Sequence, residues 1–200
     1  MRSLKTSLTL LLIHLLALPL LADAAASKIV HAARSQIGVT TLYDPAYVAL
    51  SYPNGDVLPE RGVCTDVVVR ALRKSIQLDL QKAVHEDMKA HFSKYPKNWG
   101  LKRPDKNIDH RRVPNLQTYF TRHQQKLKLT ENPANFKPGD LVTSLLPGNL
   151  PHIMIVSDKF AEDGKTPLVI HNIGRGAVEE NRLFAFPLTG HYRLASTAPE

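Results

Sequence analysis

The feature that most constrains the fold is a change in apolar spacing partway along the chain. Up to residue 127 the apolar residues recur three and four apart, and from Asp140 onward they fall in short runs separated by Pro, Gly, Asn and Asp. Ser27 to Gly38 reads as a helix with Ile29, Val30, Ala33 and Ile37 on one stripe. Cys64 to Ile76 reads as a second, burying Val67, Val68, Ala71, Leu72 and Ile76, with Arg70, Arg73 and Lys74 late, where cations suit the dipole. Leu78 to Phe92 continues as helix, and Asn115 to Leu127 is helical. Tyr43 to Gly62 and the basic stretch Ser93 to Val113 are turn-rich loops. Asp140 to Leu146, His152 to Ser157, Leu168 to Ile173 and Leu183 to Phe186 are of strand type, with a last strand at His191 to Leu194. Helices first and antiparallel strands second make an α+β layout, N-terminal helices on a C-terminal antiparallel sheet.

The N-terminus is of a different kind. Arg2 and Lys5 precede an almost unbroken apolar run from Leu8 to Leu21, and Ala22 to Ala26 are small apart from Asp23. That order is a secretory signal peptide, and the run falls short of the ~20 residues of a spanning helix. We expect residues 1–24 to be removed, residues 25–200 to form one domain without an integral membrane segment, and the protein to be periplasmic or secreted. The chain carries a formal charge of +8. Without residues 1–24, which hold Arg2, Lys5 and Asp23, it is +7, suited either to solubility or to anionic surfaces such as cell-wall polymers. The basic residues are scattered and no nucleic-acid module is present, so nucleic acid is not an expected partner. Cys64 is the single cysteine. In an exported chain an unpaired cysteine is either inert in the core or kept for its reactivity.

Three segments carry candidate chemistry. Gly62-Val63-Cys64-Thr65-Asp66 puts the cysteine at the start of an amphipathic helix. Free amides and the positive dipole end there favour a thiolate, so its pKa is expected to fall, and the same amides suit an oxyanion. Leu150-Pro151-His152-Ile153-Met154-Ile155-Val156, following the Lys137-Pro138-Gly139-Asp140 turn, sets His152 at the mouth of a strand. Pro167-Leu168-Val169-Ile170-His171-Asn172 interrupts an apolar strand with two polar residues. Adjacent strand residues face opposite sides, so only one of His171 and Asn172 can share a site with His152 and orient it. Each segment alone also fits a plain core or surface role.

Taken in order, these segments resemble the NlpC-type papain-like superfamily of bacterial cell-wall peptidases, where a cysteine, a histidine and a third polar residue form the catalytic set. The chain is similar, more closely, to an exported bacterial family known only as a domain of unknown function. That likeness rests on Arg61-Gly62-Val63-Cys64-Thr65-Asp66, Asn107-Ile108-Asp109-His110-Arg111-Arg112-Val113-Pro114-Asn115 and Leu146-Pro147-Gly148-Asn149-Leu150-Pro151-His152. The resemblance implies a papain-like fold, Cys64 as nucleophile, His152 as base, His171 as orienting residue with Asn172 as the alternative, and Tyr43 near the oxyanion. It implies a cysteine peptidase or amidase without cofactor or metal, acting on an amide bond of peptidoglycan stem peptides. Thr65-Asp66 departs from the small pair that usually follows the cysteine, which leaves the substrate open. An acyltransferase or lipid-amide hydrolase with the same catalytic set, or a non-catalytic cell-wall binding module, are the alternatives.

Other residues have two readings each. Asp105, Asp109 and His110 fit metal ligands or hydrogen-bonded loop structure. Arg111 and Arg112 fit a bidentate carboxylate site or a structural pair. Asp66 fits a helix cap pointing away from the thiol. His85, His91 and His123 are expected on the surface.

Overall fold

A computed structural model describes residues 24–123 and 125–194. The expected signal peptide lies outside the described residues except for Ala24. The described residues form four α-helices, α1 (24–34), α2 (Cys64–Ile76), α3 (Leu80–His91) and α4 (Val113–Arg122), and seven strands. Strands β1 (Leu42–Tyr43) and β2 (Arg61–Gly62) form a short parallel pair. Strands β3 (Leu141–Leu146), β4 (Leu150–Phe160), β5 (Pro167–Asn172), β6 (Ala177–Glu180) and β7 (Leu188–Tyr192) form an antiparallel sheet in the order β6-β5-β4-β3-β7. The α+β layout is as the spacing predicts. Among the described residues no helix is long and apolar enough to cross a membrane.

The sheet separates two apolar clusters, and period-two alternation decides which residue joins which. Leu141, Ile153, Ile155 and Ile170 join the main core with the helices. Val142, Met154, Val156 and Val169 face the other way, onto Phe136 and Leu183. β4 is thus buried on both faces, which explains its unbroken apolar run. α2 lies across β4 and β5 and buries Val67, Val68, Ala71 and Leu72 completely. Each such side chain stabilises the fold by roughly 1.5–3 kcal/mol, less for alanine.

Local signals explain the boundaries. α2 stops at Gln77, which turns left-handed (φ 58°) and sends its N–H back to Arg73 and Leu72. Asp79 then caps α3 by accepting from the Gln81 N–H at 3.0 Å, so the expected helix from Leu78 starts two residues later. α1 ends at residue 34, and Ile37, expected on its buried stripe, is 39 % exposed. Leu183 to Phe186 is a turn rather than the expected strand. Leu183 is fully buried all the same, because the turn folds it onto the second cluster. The neighbouring strand is instead β6, whose Ala-Val-Glu-Glu sequence shows little apolar alternation.

Candidate active site

Cys64 lies where α2 begins, and His152 and His171 lie on β4 and β5, but neither histidine lines the cavity beside Cys64. Gly62 makes the approach to α2: its φ is +155°, and a Cβ there would sit 2.9 Å from the Asp66 Cβ. With no Cβ, the chain passes close enough for Asp66 to accept the Val63 N–H at 2.6 Å. Asp66 also receives Arg111 Nε at 2.9 Å and Nη2 at 3.0 Å, a bidentate pair with both side chains almost wholly buried. Arg111 goes on to donate to the Ala46 and Asp44 carbonyls at 2.9 and 3.1 Å. One guanidinium therefore ties the start of α2 to the loop after Tyr43. Asp66 caps the helix as expected, and Arg111 is the structural partner of the two arginines.

Cys64 is 5 % exposed and lines a cavity of about 210 Å³ together with Tyr43, Val63, Trp99, Arg112 and Pro151. The main-chain amides of Ile153, Thr65 and Cys64 itself lie near its sulfur and favour the thiolate. Burial outweighs them and pushes the thiol up to about 11, so the expected fall in pKa does not occur in the resting protein. The magnitudes explain why. A helix terminus supplies about 0.3–1 kcal/mol, and one pKa unit is about 1.4 kcal/mol. Desolvating a thiolate costs more than that.

His152, 3 % exposed, precedes Ile153, whose main-chain amide lies near the sulfur, and in the alternation of β4 its side chain goes with Met154 and Val156 and not with Ile153. Its Nε2 lies 2.8 Å from Nδ1 of His171, and His171 Nε2 lies 3.1 Å from Glu180 Oε1. The carboxylate can only accept, which fixes the direction of the chain. His171 donates from Nε2 to Glu180 and accepts at Nδ1, so His152 donates from Nε2 and keeps a lone pair on Nδ1. Burial, aided by neighbouring His171, pushes the His152 pKa down to about 3. Burial lowers that of His171 as well, against the opposing pull of Glu180. Both rings are neutral at pH 7, the form a base requires. Among the described residues no hydrogen bond joins Cys64 to His152.

Asn172, the alternative orienting residue, is placed elsewhere. Its Nδ2 donates to the Gly62 carbonyl at 3.0 Å, and its Oδ1 accepts from the Gly174 and Gly176 amides. It clamps β5 to the approach to Cys64. Tyr43 pairs in register with Gly62 and is 43 % exposed. Burial, then the nearby Cys64 and Asp66, raise its pKa, so its hydroxyl stays a donor.

The remaining candidates make up a hydrogen-bonded loop and the short 3₁₀ helix Asp109–Arg111. Asp109 accepts the Asp105 N–H, and Asp105 accepts from Tyr47 at 3.0 Å. His110 is buried, and its pKa is pushed down to about 4 by desolvation and by Arg111. No group of three or more His, Cys, Asp or Glu residues converges for a metal among the described residues. His91 and His123 are exposed beside Asp87, and His85 is half-buried edge-on to Tyr52. Sequence reasoning missed Glu180, which looks like a surface carboxylate in Glu179-Glu180, and Trp99, which sits in a basic loop. The period-two rule that allows only one of His171 and Asn172 beside His152 also applies to its register partners: His171 pairs with Val178, so Glu180 lies on the same face two residues on.

These elements define an α+β domain with a buried cysteine at a helix start and a Glu–His–His chain on the adjoining strands. The chain belongs to the family described as Domain of unknown function (DUF1287), which it matches over residues 30–194. It is 61 % identical over 161 residues to the Escherichia coli (strain K12) protein described as Uncharacterized protein YijF, covering 80 % of this chain and 78 % of that one.

Proposed function

We propose that the protein is an exported thiol hydrolase with a papain-like, NlpC-type arrangement, cleaving an amide bond in peptidoglycan stem peptides. The observation that carries this reading is the 2.8 Å bond between His152 and His171, with the main-chain amide of the next residue, Ile153, near the Cys64 sulfur. His152 Nδ1 takes the Sγ–H proton as the sulfur attacks the amide carbonyl carbon. The helix-start amides, with the Tyr43 hydroxyl, stabilise the oxyanion. The C–N bond breaks, His152 returns the proton to the leaving amine, and a thioester remains. Water, deprotonated by the same nitrogen, then releases the carboxylic acid and restores the thiol. The neutral resting pair suits a proton transfer that takes place only once substrate fills the cavity, because contacts in free enzymes often tighten on binding. The signal-like N-terminus and the basic charge support a periplasmic or secreted protein working on an anionic polymer.

The test is incubation with a defined stem peptide followed by mass spectrometry. A hydrolase yields a new amine and a new carboxylic acid. A new acyl adduct in place of the acid would assign the acyltransferase reading. An unchanged peptide would leave the non-catalytic binding module, which the depth of Cys64 favours.

Glu180 acts in this scheme as a positioning residue, setting which nitrogen of each ring carries the proton. Glu180→Ala is expected to lower kcat by about ten- to a hundredfold, the range for removing an outer partner of a reacting imidazole. KM should change little, since Glu180 does not line the cavity. Steady-state kinetics check this, and an effect confined to KM would contradict it.

A further inference from the structure

The cavity beside Cys64 receives two arginines, and they are not equivalent. Arg111 is fully spent on Asp66 and on the Asp44 and Ala46 carbonyls. Arg112 lies over the Trp99 ring, its guanidinium carbon 4.1 Å from the ring centroid. Its side-chain hydrogen bond among the described residues is a single long contact, Nη1 to Asp109 Oδ1 at 3.4 Å. That is beyond the usual range for such bonds. A guanidinium carries five N–H donors in a fixed fork. The Nε–Nη2 edge of Arg112 therefore has no partner among the described residues, although the side chain is only 16 % exposed. The indole lies against the guanidinium and shields that side of it from water. The same cavity is otherwise walled by apolar residues, including Ile108, Val113, Pro114 and Pro151. A half-desolvated cation in an apolar cavity, with its bidentate edge unused, is built for a planar anion.

We infer that Arg112, seated over Trp99, is the specificity residue of the Cys64 cavity and takes a carboxylate of the substrate in bidentate fashion. The substrate class is then an amide with a free carboxylate near the bond that is cut, and its carboxamide counterpart is a poor substrate. This rests on the hydrolase reading for the word substrate, but the anion site itself can be tested without turnover.

Trp99 is the single tryptophan of the chain, so its emission reports this cavity alone. Acetyl-alanine, as the free acid, titrated into Cys64→Ala protein should change Trp99 emission to saturation, and acetyl-alaninamide should not. In a protein also carrying Arg112→Gln the midpoint for the acid should rise by about ten- to a hundredfold. Arg112→Lys keeps the charge without the fork and should bind between the two, which gives a second reading if the Gln variant folds poorly. Equal responses to acid and amide, or equal midpoints with and without Arg112, would overturn the inference. With active protein, Arg112→Gln should raise KM for a carboxylate-bearing peptide and leave its carboxamide analogue unaffected. Saturable acid binding without any cleavage would keep the anion site and reject the hydrolase. Cleavage indifferent to both the carboxylate and Arg112 would do the reverse.

Discussion

Cys64→Ala is expected to abolish hydrolysis of a stem peptide while leaving a folded protein. The loss should reach on the order of 10⁴- to 10⁶-fold, the scale on which removal of a nucleophile acts when base and nucleophile work as a unit. The fold should tolerate the change. Cys64 is 5 % exposed, and the replacement removes one sulfur atom at the edge of the core, next to a cavity. That costs about 1 kcal/mol, as small core truncations do. Far-ultraviolet circular dichroism and a denaturant melt establish folding, and product mass spectrometry measures turnover. Retained turnover in the folded variant would reject the thiol mechanism.

The second large effect is on stability. Arg111→Ala should destabilise the protein by about 3–5 kcal/mol, the range for leaving one partner of a buried ion pair uncompensated. The side chains of Arg111 and Asp66 are 2 % and 4 % exposed, so water cannot replace the lost partner. The Asp44 and Ala46 carbonyls lose a donor in the same step. Adding Asp66→Asn to Arg111→Ala removes the stranded charge and should recover part of the loss. Urea unfolding of the two variants measures both quantities. A loss below ~1 kcal/mol for Arg111→Ala would place the pair in the class of solvated surface bridges.

Much of the fold was legible because each element carries a local signal. The apolar stripe of α2, the Pro-Gly-Asp turn and the unbroken run of β4 mark the helix, the strand start and the central strand directly. β6 was not legible. Its two glutamates give no alternation, and it becomes a strand only because β5 offers an edge to pair with. Of the candidate site, the sequence points to Cys64, His152 and a choice between His171 and Asn172. Alternation along β5 dictates that one of them joins His152, but it leaves the absolute face open. That face is set by the packing of Ile170 onto the helices, which turns His171 towards His152 and Asn172 towards the Gly62 carbonyl. The thiol shows the other limit. A helix start can be read from sequence, whereas the depth at which the sulfur lies is a property of the assembled core. Here the desolvation due to depth exceeds the pull of the helix amides. Arg111 and Arg112 are neighbours with opposite fates for a similar reason, since the carboxylate that claims one of them stands 45 residues away in sequence.

In the proposed mechanism the working pair is a neutral thiol and a neutral imidazole, the latter joined to Glu180 through His171. Its reactivity therefore depends on His152 rather than on a low intrinsic pKa of the sulfur. The rate of Cys64 alkylation by iodoacetamide, measured in the wild-type protein and in His152→Ala across neutral pH, reads that dependence directly. A thiol that relies on its own ionisation reacts in proportion to its thiolate fraction. An imidazole able to accept the proton raises that rate near pH 7, and we predict wild-type alkylation about tenfold faster or more than in the variant. Equal rates in the two proteins would mean that nitrogen and sulfur do not communicate, and would contradict the hydrolase account.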